Sequence, residues 1–351
     1  YIFKTMKVLI IANNLEGNVD GIGKHARIVG QELSKLGLNI DYSTGETWKF
    51  SKAKLLFSFE MSKAYINACK RVLFHKYDYV NIEYPFMEYN PMILFFHWIL
   101  WFLTRFMKTK VSFSMHEHDR VKPIRRKVID CMLPFADLVF ISEDKYLRSL
   151  PRYARKMRVR TIPSHGIAYN SKLKDFKNNS RYCYFGLVNG SKAFTEMLDA
   201  WQVFNLSGAY TLDIVTNTDL GPFNLDKYKG VSYHYKLSDE DSGTILSSCI
   251  FSIIPVLPSI GYNNSSFVSS VQCGCIPIGK FNQNLKNEPF VLNVEDYGIE
   301  EFCNVLNRSQ NLTNLKQMSD VALKFGEQFS VSKTAKMMMD AFEEFKNEKN
   351  K

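Results

Sequence analysis

Short apolar runs alternate along the chain with stretches whose apolar positions recur at helical spacing. MKVLIIANN is a buried-strand pattern that runs into the glycine-bearing LEGNVDGIG, and KHARIVGQELSKLG is an amphipathic helix that stops at Gly37 before the strand-like NIDYST. Residues 51–76 have helical periodicity, and YDYVNIEYP, KVSFSMHEHD and ADLVFISED read as strands. RVRTIPSHGIAYN closes this half, and the polar SKLKDFKNNS reads as a linker. The alternation then restarts. RYCYFGLVNG is strand and loop, SKAFTEMLDAWQVF a helix, TLDIVTN and VSYHY strands, and Ser238 caps the next helix. FSIIPVL, PSIGYNN, SSFVSSVQC and CIPIG then give strand, turn, short helix ended by Gly274, and strand. FVLNVEDYGIEEFCNVL adds a strand and helix, and FSVSKTAKMMMDAFEEFKN a last helix. Repeated strand–loop–helix–strand order predicts doubly wound α/β domains.

Length makes that plural, since 351 residues exceed one ordinary core and suit two domains. The predicted division is 1–170, a linker over 171–180, and 181–330, with a helix over 331–348 returning to the first domain. The seven cysteines are scattered and lack paired metal-ligand spacing, which fits a reducing cytoplasm. YIFKTMKVLIIANN reads as a lysine-flanked strand rather than a secretory leader.

Charge separates the halves. The net +10 resolves into 27 Lys and Arg against 15 Asp and Glu over residues 1–170, and 18 against 20 over 171–351. A basic first half attracts nucleic acid, anionic lipid or acidic substrates. No helix-turn-helix, zinc-finger or RNP pattern supports nucleic acid, so an anionic membrane surface is the expected partner. From Met92 to Leu103 only His97 is polar. Such a run is shorter than the roughly 20 residues a membrane span needs. Two readings stay open for it: a fully buried helix, or an interfacial patch carrying Trp98, Trp101, Phe102 and Phe106, with Arg105, Lys108 and Lys110 at its end.

Candidate chemistry collects at loops following strands. In an open α/β sheet, ligands bind at the carboxyl ends of strands, and a helix N-terminus there offers unpaired N–H groups to phosphate. Asn263, Asn264, Ser265 and Ser266 are the candidate phosphate cradle. Gly21 and Gly23 would let backbone approach a ligand, although their spacing is not G-x-G-x-x-G. His116, Glu117, His118 and Asp119 form a polar cluster at a strand end. It lacks helical metal-ligand spacing, and no metal site is expected there.

DEDSGTILSSCIFSIIPVLPS with its following loop and CGCIPIG resembles the donor-site region of the glycogen-synthase-like GT-B glycosyltransferases, glycosyltransferase family 4. GIGKHARIVGQELSKLG resembles the family's opening glycine loop and first helix, and the order of elements follows the family along nearly the whole chain. The resemblance implies a GT-B fold: two Rossmann-like domains with a cleft between them. It also implies a retaining transferase using a UDP-sugar or GDP-sugar without a required metal or other cofactor. Carried over by motif, Gly186 and Lys192 hold the donor diphosphate, His116 contacts the sugar, and Gly21, Ile22, Gly23 and His165 line the sugar and acceptor cleft.

The departures from the family are specific. Leu187 replaces the phosphate-clamp arginine, and Gly261 and Ser269 stand where a Glu-x7-Glu pair is usual, so Ser269, Ser270 or backbone becomes the candidate ribose contact. The implied acceptor is a lipid-linked or surface-polysaccharide glycan, with the protein peripheral on the inner face of the cell membrane. The alternative is a catalytically silent GT-B subunit that regulates a partner transferase.

Overall fold

The computed structural model describes all residues except 1–4, 13–14, 16–20, 46–59, 85–91, 117, 119–122, 154–157, 167–175, 177–179, 191, 222 and 348–351. Most of the expected linker, part of the first glycine loop, and Glu117 and Asp119 therefore lie outside the described residues. The chain forms two compact units, one of Tyr1–Pro163 with Val331–Lys351, the other of Ser164–Ser330.

The first unit is built on a six-stranded parallel sheet in the order β2-β1-β3-β4-β5-β6. Its strands are β1 (Lys7–Ala12), β2 (Asn39–Thr44), β3 (Tyr79–Tyr84), β4 (Lys110–Met115), β5 (Leu138–Ile141) and β6 (Val159–Thr161). Helices α1 (Gly21–Lys35), α2 (Glu60–Phe74), α3 (Met92–Phe106), α4 (Pro123–Met132) and α5 (Lys145–Ser149) connect them. Parallel strands require such crossovers, so both sheet faces are covered and the strands read as continuous apolar runs. β1 and β3 illustrate this, being almost wholly buried along their length.

A second six-stranded parallel sheet, ordered β12-β11-β10-β7-β8-β9, organises the other unit. It comprises β7 (Arg181–Phe185), β8 (Thr211–Thr216), β9 (Val231–Tyr235), β10 (Phe251–Ile253), β11 (Ile276–Gly279) and β12 (Leu292–Asn293). Its helices are α6 (Phe194–Phe204), α7 (Asp239–Ser248), α8 (Ser265–Gln272), α9 (Ile299–Gln310) and α10 (Leu315–Gly326). Ser238 caps α7 by accepting the Asp241 N–H at 3.0 Å. Gly274, with φ +70°, ends α8, and a Cβ there would press on Leu323. The core centres on Trp201, Tyr182 and Phe251, with Tyr182 stacked on Phe251 at 4.9 Å.

The last helix, α11 (Val331–Asn347), belongs to the first unit. Phe342 is fully buried there, 4.4 Å from the Tyr79 ring and 5.4 Å from that of Phe140, and its carbonyl accepts the Tyr79 hydroxyl.

α3 is not the fully buried helix of the first reading: one face is buried and the other exposed. Ile93, Leu100 and His97 are buried, whereas Phe95, Trp98, Phe102 and Phe106 are 51, 50, 66 and 75% exposed. The single polar residue of the run points inward. Burial pushes the His97 imidazole down to about 4, so it packs neutral between Tyr65 and Phe113. Of the basic residues expected at its end, Arg105 pairs with Asp137 at 2.9 Å, and Lys110 donates to the Phe345 carbonyl and lies over the Tyr79 ring. Lys108 is exposed. Among the described residues no helix is long and apolar enough to cross a membrane.

Phe342→Ala is expected to cost about 3 to 5 kcal/mol in urea unfolding, because it empties a closed aromatic site. Phe102→Ser should stay within about 0.5 kcal/mol of the parent, since its ring faces solvent. Equal losses in the two variants would contradict this assignment of inner and outer faces.

Candidate functional site

Each sheet reverses its strand order once, and a ligand crevice is expected at the carboxyl ends of the strands flanking that reversal. In the second unit the reversal falls between β7 and β10. The chain leaves β7 at Gly186 with φ +136°, a conformation that favours glycine. A Cβ at Gly186 would lie 2.5 Å from Ser266 Oγ, so the missing side chain lets the loop sit against the start of α8. The loop is then fixed at several points. Tyr184 donates to the Leu187 carbonyl at 2.9 Å, Thr218 Oγ1 accepts the Val188 N–H at 2.9 Å, and Lys192 N–H reaches the Asn189 carbonyl at 3.0 Å. Lys192 bridges to Val256 just past β10, and the neighbouring Ala193 N–H bonds the Pro255 carbonyl at 2.8 Å.

These contacts hold a lysine in a largely desolvated position. No carboxylate pairs with its ammonium among the described residues, and burial lowers its pKa from the usual 10.5 to about 8. Facing the same strand ends is the N-terminus of α8. Asn264 is its cap, with Oδ1 accepting the Phe267 N–H at 2.9 Å, so its side chain serves the helix. Ser265 is exposed, Asn263 half-buried and Ser266 buried. A cation of this kind beside a helix N-terminus suits an anion.

Ser269 differs from the expectation. It is 1% exposed, and a Cβ at Gly166 would lie 2.6 Å from both its N and Oγ. The segment through His165 and Gly166 therefore packs over α8, and Ser269 does not line an open surface. His165, grouped by sequence with Gly21 to Gly23, falls instead in the second unit. Leu187, at the clamp-arginine position, is 43% exposed.

The first unit carries the remaining candidates. Gly21, Ile22 and Gly23 lie in the first turn of α1 rather than in the loop before it. Space is open around a Cβ at Gly21, so close backbone packing does not require that glycine. His116 follows β4 and places Nε2 2.7 Å from the buried Glu83 Oε2. His25 of α1 meets His116 edge-on, with ring centroids 4.5 Å apart. His118 is different: fully buried, it lies between Ser149 at 2.9 Å and Asp130 at 3.0 Å. Neighbouring histidines of one loop thus have separate surroundings. Sequence reasoning misses Glu83 and His25. The signal for Glu83 is an acidic residue inside the mainly apolar YVNIEYP, which a buried strand retains only with a partner.

No protein-family model matches the chain, and no curated protein matches it in sequence. Solved structures do match. A glycosyltransferase from Rickettsia africae aligns over 98% of this chain and 99% of its own, with a TM-score of 0.71 and 13% identity. Anabaena HepE, solved with UDP and glucose, aligns over 97% and 100%, with a TM-score of 0.66 and 12% identity. An α-glucosyltransferase solved with UDP and a 13-mer DNA gives 97% and 100%, a TM-score of 0.65 and 15% identity. The fold is the two-domain GT-B glycosyltransferase fold. At these identities the likeness is one of fold.

Lys192 also sets a pH dependence. Its folded-state pKa lies below the usual 10.5, so the unfolded chain binds the additional proton, and burial of the charge costs stability fully below about pH 8. That cost fades as the pH rises from about 8 towards 10.5. Lys192→Met is therefore expected to raise the unfolding midpoint of the ligand-free protein at neutral pH, and to lack the parent's relative gain across that alkaline window. Parallel thermal unfolding of the two proteins reads both effects. Superimposable profiles would contradict a desolvated ammonium.

Proposed function

We propose that the protein is a retaining glycosyltransferase that moves a sugar from a nucleoside diphosphate sugar to a lipid-linked or surface-polysaccharide glycan. The observation that carries this reading is Lys192, desolvated and without an acidic partner among the described residues, at the same strand ends as the N-terminus of α8. Lys192 and the free N–H groups at Ser265 and Ser266 receive the diphosphate. Catalysis rests on stabilising negative charge as the diphosphate departs, a task these groups perform without a metal. Gly186 lets this loop close on Ser266 at the start of α8. The UDP held by HepE and by the α-glucosyltransferase supports a uridine donor, with guanosine the other candidate.

His116 and the first turn of α1 serve the sugar and acceptor. The exposed aromatics of α3 favour a lipid-bearing acceptor. α2 packs beside α3 and ends in exposed Leu73 and Phe74, with Lys70 and Lys76 nearby, which suits an anionic bilayer surface. Duplex DNA shares the preference for positive charge and has no use for this apolar stripe. The loss of both donor-loop carboxylates, at Gly261 and at the buried Ser269, keeps a second reading in view: a subunit that binds and regulates another transferase.

UDP, GDP or one of their sugar conjugates should stabilise the protein by about 2.7 kcal/mol at a concentration 100 times the dissociation constant. That corresponds to a rise of roughly 5 to 10 °C. Lys192→Ala should remove most of it, whereas Ser269→Ala should leave affinity within about twofold, because Ser269 packs beneath Gly166. If no nucleoside diphosphate moves the midpoint at millimolar concentration, the donor site is wrongly assigned. Transfer to polyprenyl-linked acceptors separates enzyme from silent subunit. Neither transfer nor donor hydrolysis, together with activation of a copurifying transferase, would favour the subunit.

Sedimentation with vesicles checks the membrane surface. Binding to anionic lipid is expected to fall with salt and to weaken in Trp98→Ser, each nearby basic residue being worth about 1 kcal/mol. Equal sedimentation with neutral vesicles, or binding to duplex DNA that outcompetes lipid, would remove the membrane from the proposal.

A further inference from the structure

The sheet of the first unit has its own reversal, between β1 and β3. Three ligand-type side chains from separate elements meet at that end: His25 from α1, which follows β1, Glu83 near the end of β3, and His116 just past β4. One nitrogen or oxygen of each lies within 4.8 Å of the others. We propose that these three residues bind a divalent first-row transition metal of the zinc class. The proposal concerns the first unit alone and does not depend on the donor site in the second.

Two imidazoles and one carboxylate form a ligand set suited to zinc and its neighbours, and three protein ligands leave a coordination position open. Glu83 is 3% exposed, and its carboxylate oxygens meet the His116 imidazole and the Asn81 amide, each at 2.7 Å. A buried carboxylate favours a cation beside it. The surrounding hydrogen bonds fix its direction. Asn81 donates to Glu83 Oε1 and accepts the Ser112 hydroxyl at 2.8 Å, while the His116 carbonyl accepts the Ser142 hydroxyl at 3.1 Å. Outer partners of this kind orient metal ligands. Zinc bonds of about 2.0 to 2.2 Å place ligand atoms roughly 3 to 3.5 Å apart. The His116–Glu83 contact would open slightly and His25, which is half-buried, would swing inward.

The rival account is a plain hydrogen-bonded pair in which Glu83 orients His116 and His25 is an aromatic neighbour. It predicts no response to metal.

The test uses the full chain, stripped with chelator and titrated with Co2+ and Zn2+. Expected are a visible Co2+ band saturating at one equivalent, its displacement by Zn2+, and a midpoint rise of about 5 °C or more at 100 times the dissociation constant. His25→Ala should weaken Co2+ binding at least about tenfold while the metal-free protein keeps its far-ultraviolet circular dichroism and midpoint. Because Glu83 is buried, Glu83→Gln tests folding as well as binding, so His25→Ala is the deciding variant. Absence of a Co2+ band, or equal metal responses in the parent, His25→Ala and His116→Ala, would overturn the proposal.

Discussion

Parallel strand pairing is the constraint on which the rest of this protein depends. Each parallel pair needs a crossover, and the handedness of crossovers sends the helices to the two sheet faces and every strand-to-helix loop to one edge. Reversing the strand order once, at β1/β3 and again at β7/β10, parts the loops at those points. The polar groups of most chemical interest gather at these two places: Lys192 with the start of α8, and His25, Glu83 and His116. Neither group is local in sequence. Each is assembled from loops that the topology brings side by side.

The two groups handle charge in opposite ways. Around Lys192 a cation is held in a largely desolvated position without an acidic partner among the described residues, and the ligand-free protein bears that cost. Around Glu83 the buried charge is negative and already has an imidazole and an amide within hydrogen-bond reach. Glycine makes the first arrangement possible, because any side chain at Gly186 would hold the loop away from Ser266.

The apolar surface of α3 is a third feature with a long-range cause. The sheet needs only one face of this helix, and that face takes Ile93, His97 and Leu100, leaving the aromatic stripe outside. His97 is tolerated inside because burial keeps it neutral among aromatic rings. A run that is apolar on nearly every side carries no direction of its own, so packing against the sheet makes the choice.

By itself the sequence determined the local features: the alternation of strand and helix, the cap at Ser238, the stop at Gly274, and the loop and short helix after FSIIPVL. These follow from periodicity, capping and backbone freedom, which act over a few residues. Tertiary structure alone decided that Ser269 packs beneath Gly166, that His116 meets Glu83 and His118 meets Asp130, and that Lys192 is half-buried. It also decided that the last helix joins the first unit through Phe342 and Tyr79. Those outcomes depend on contacts between residues far apart in the chain. Desolvation and pairing are properties of such contacts, and neither has a local signature strong enough to read from residue order.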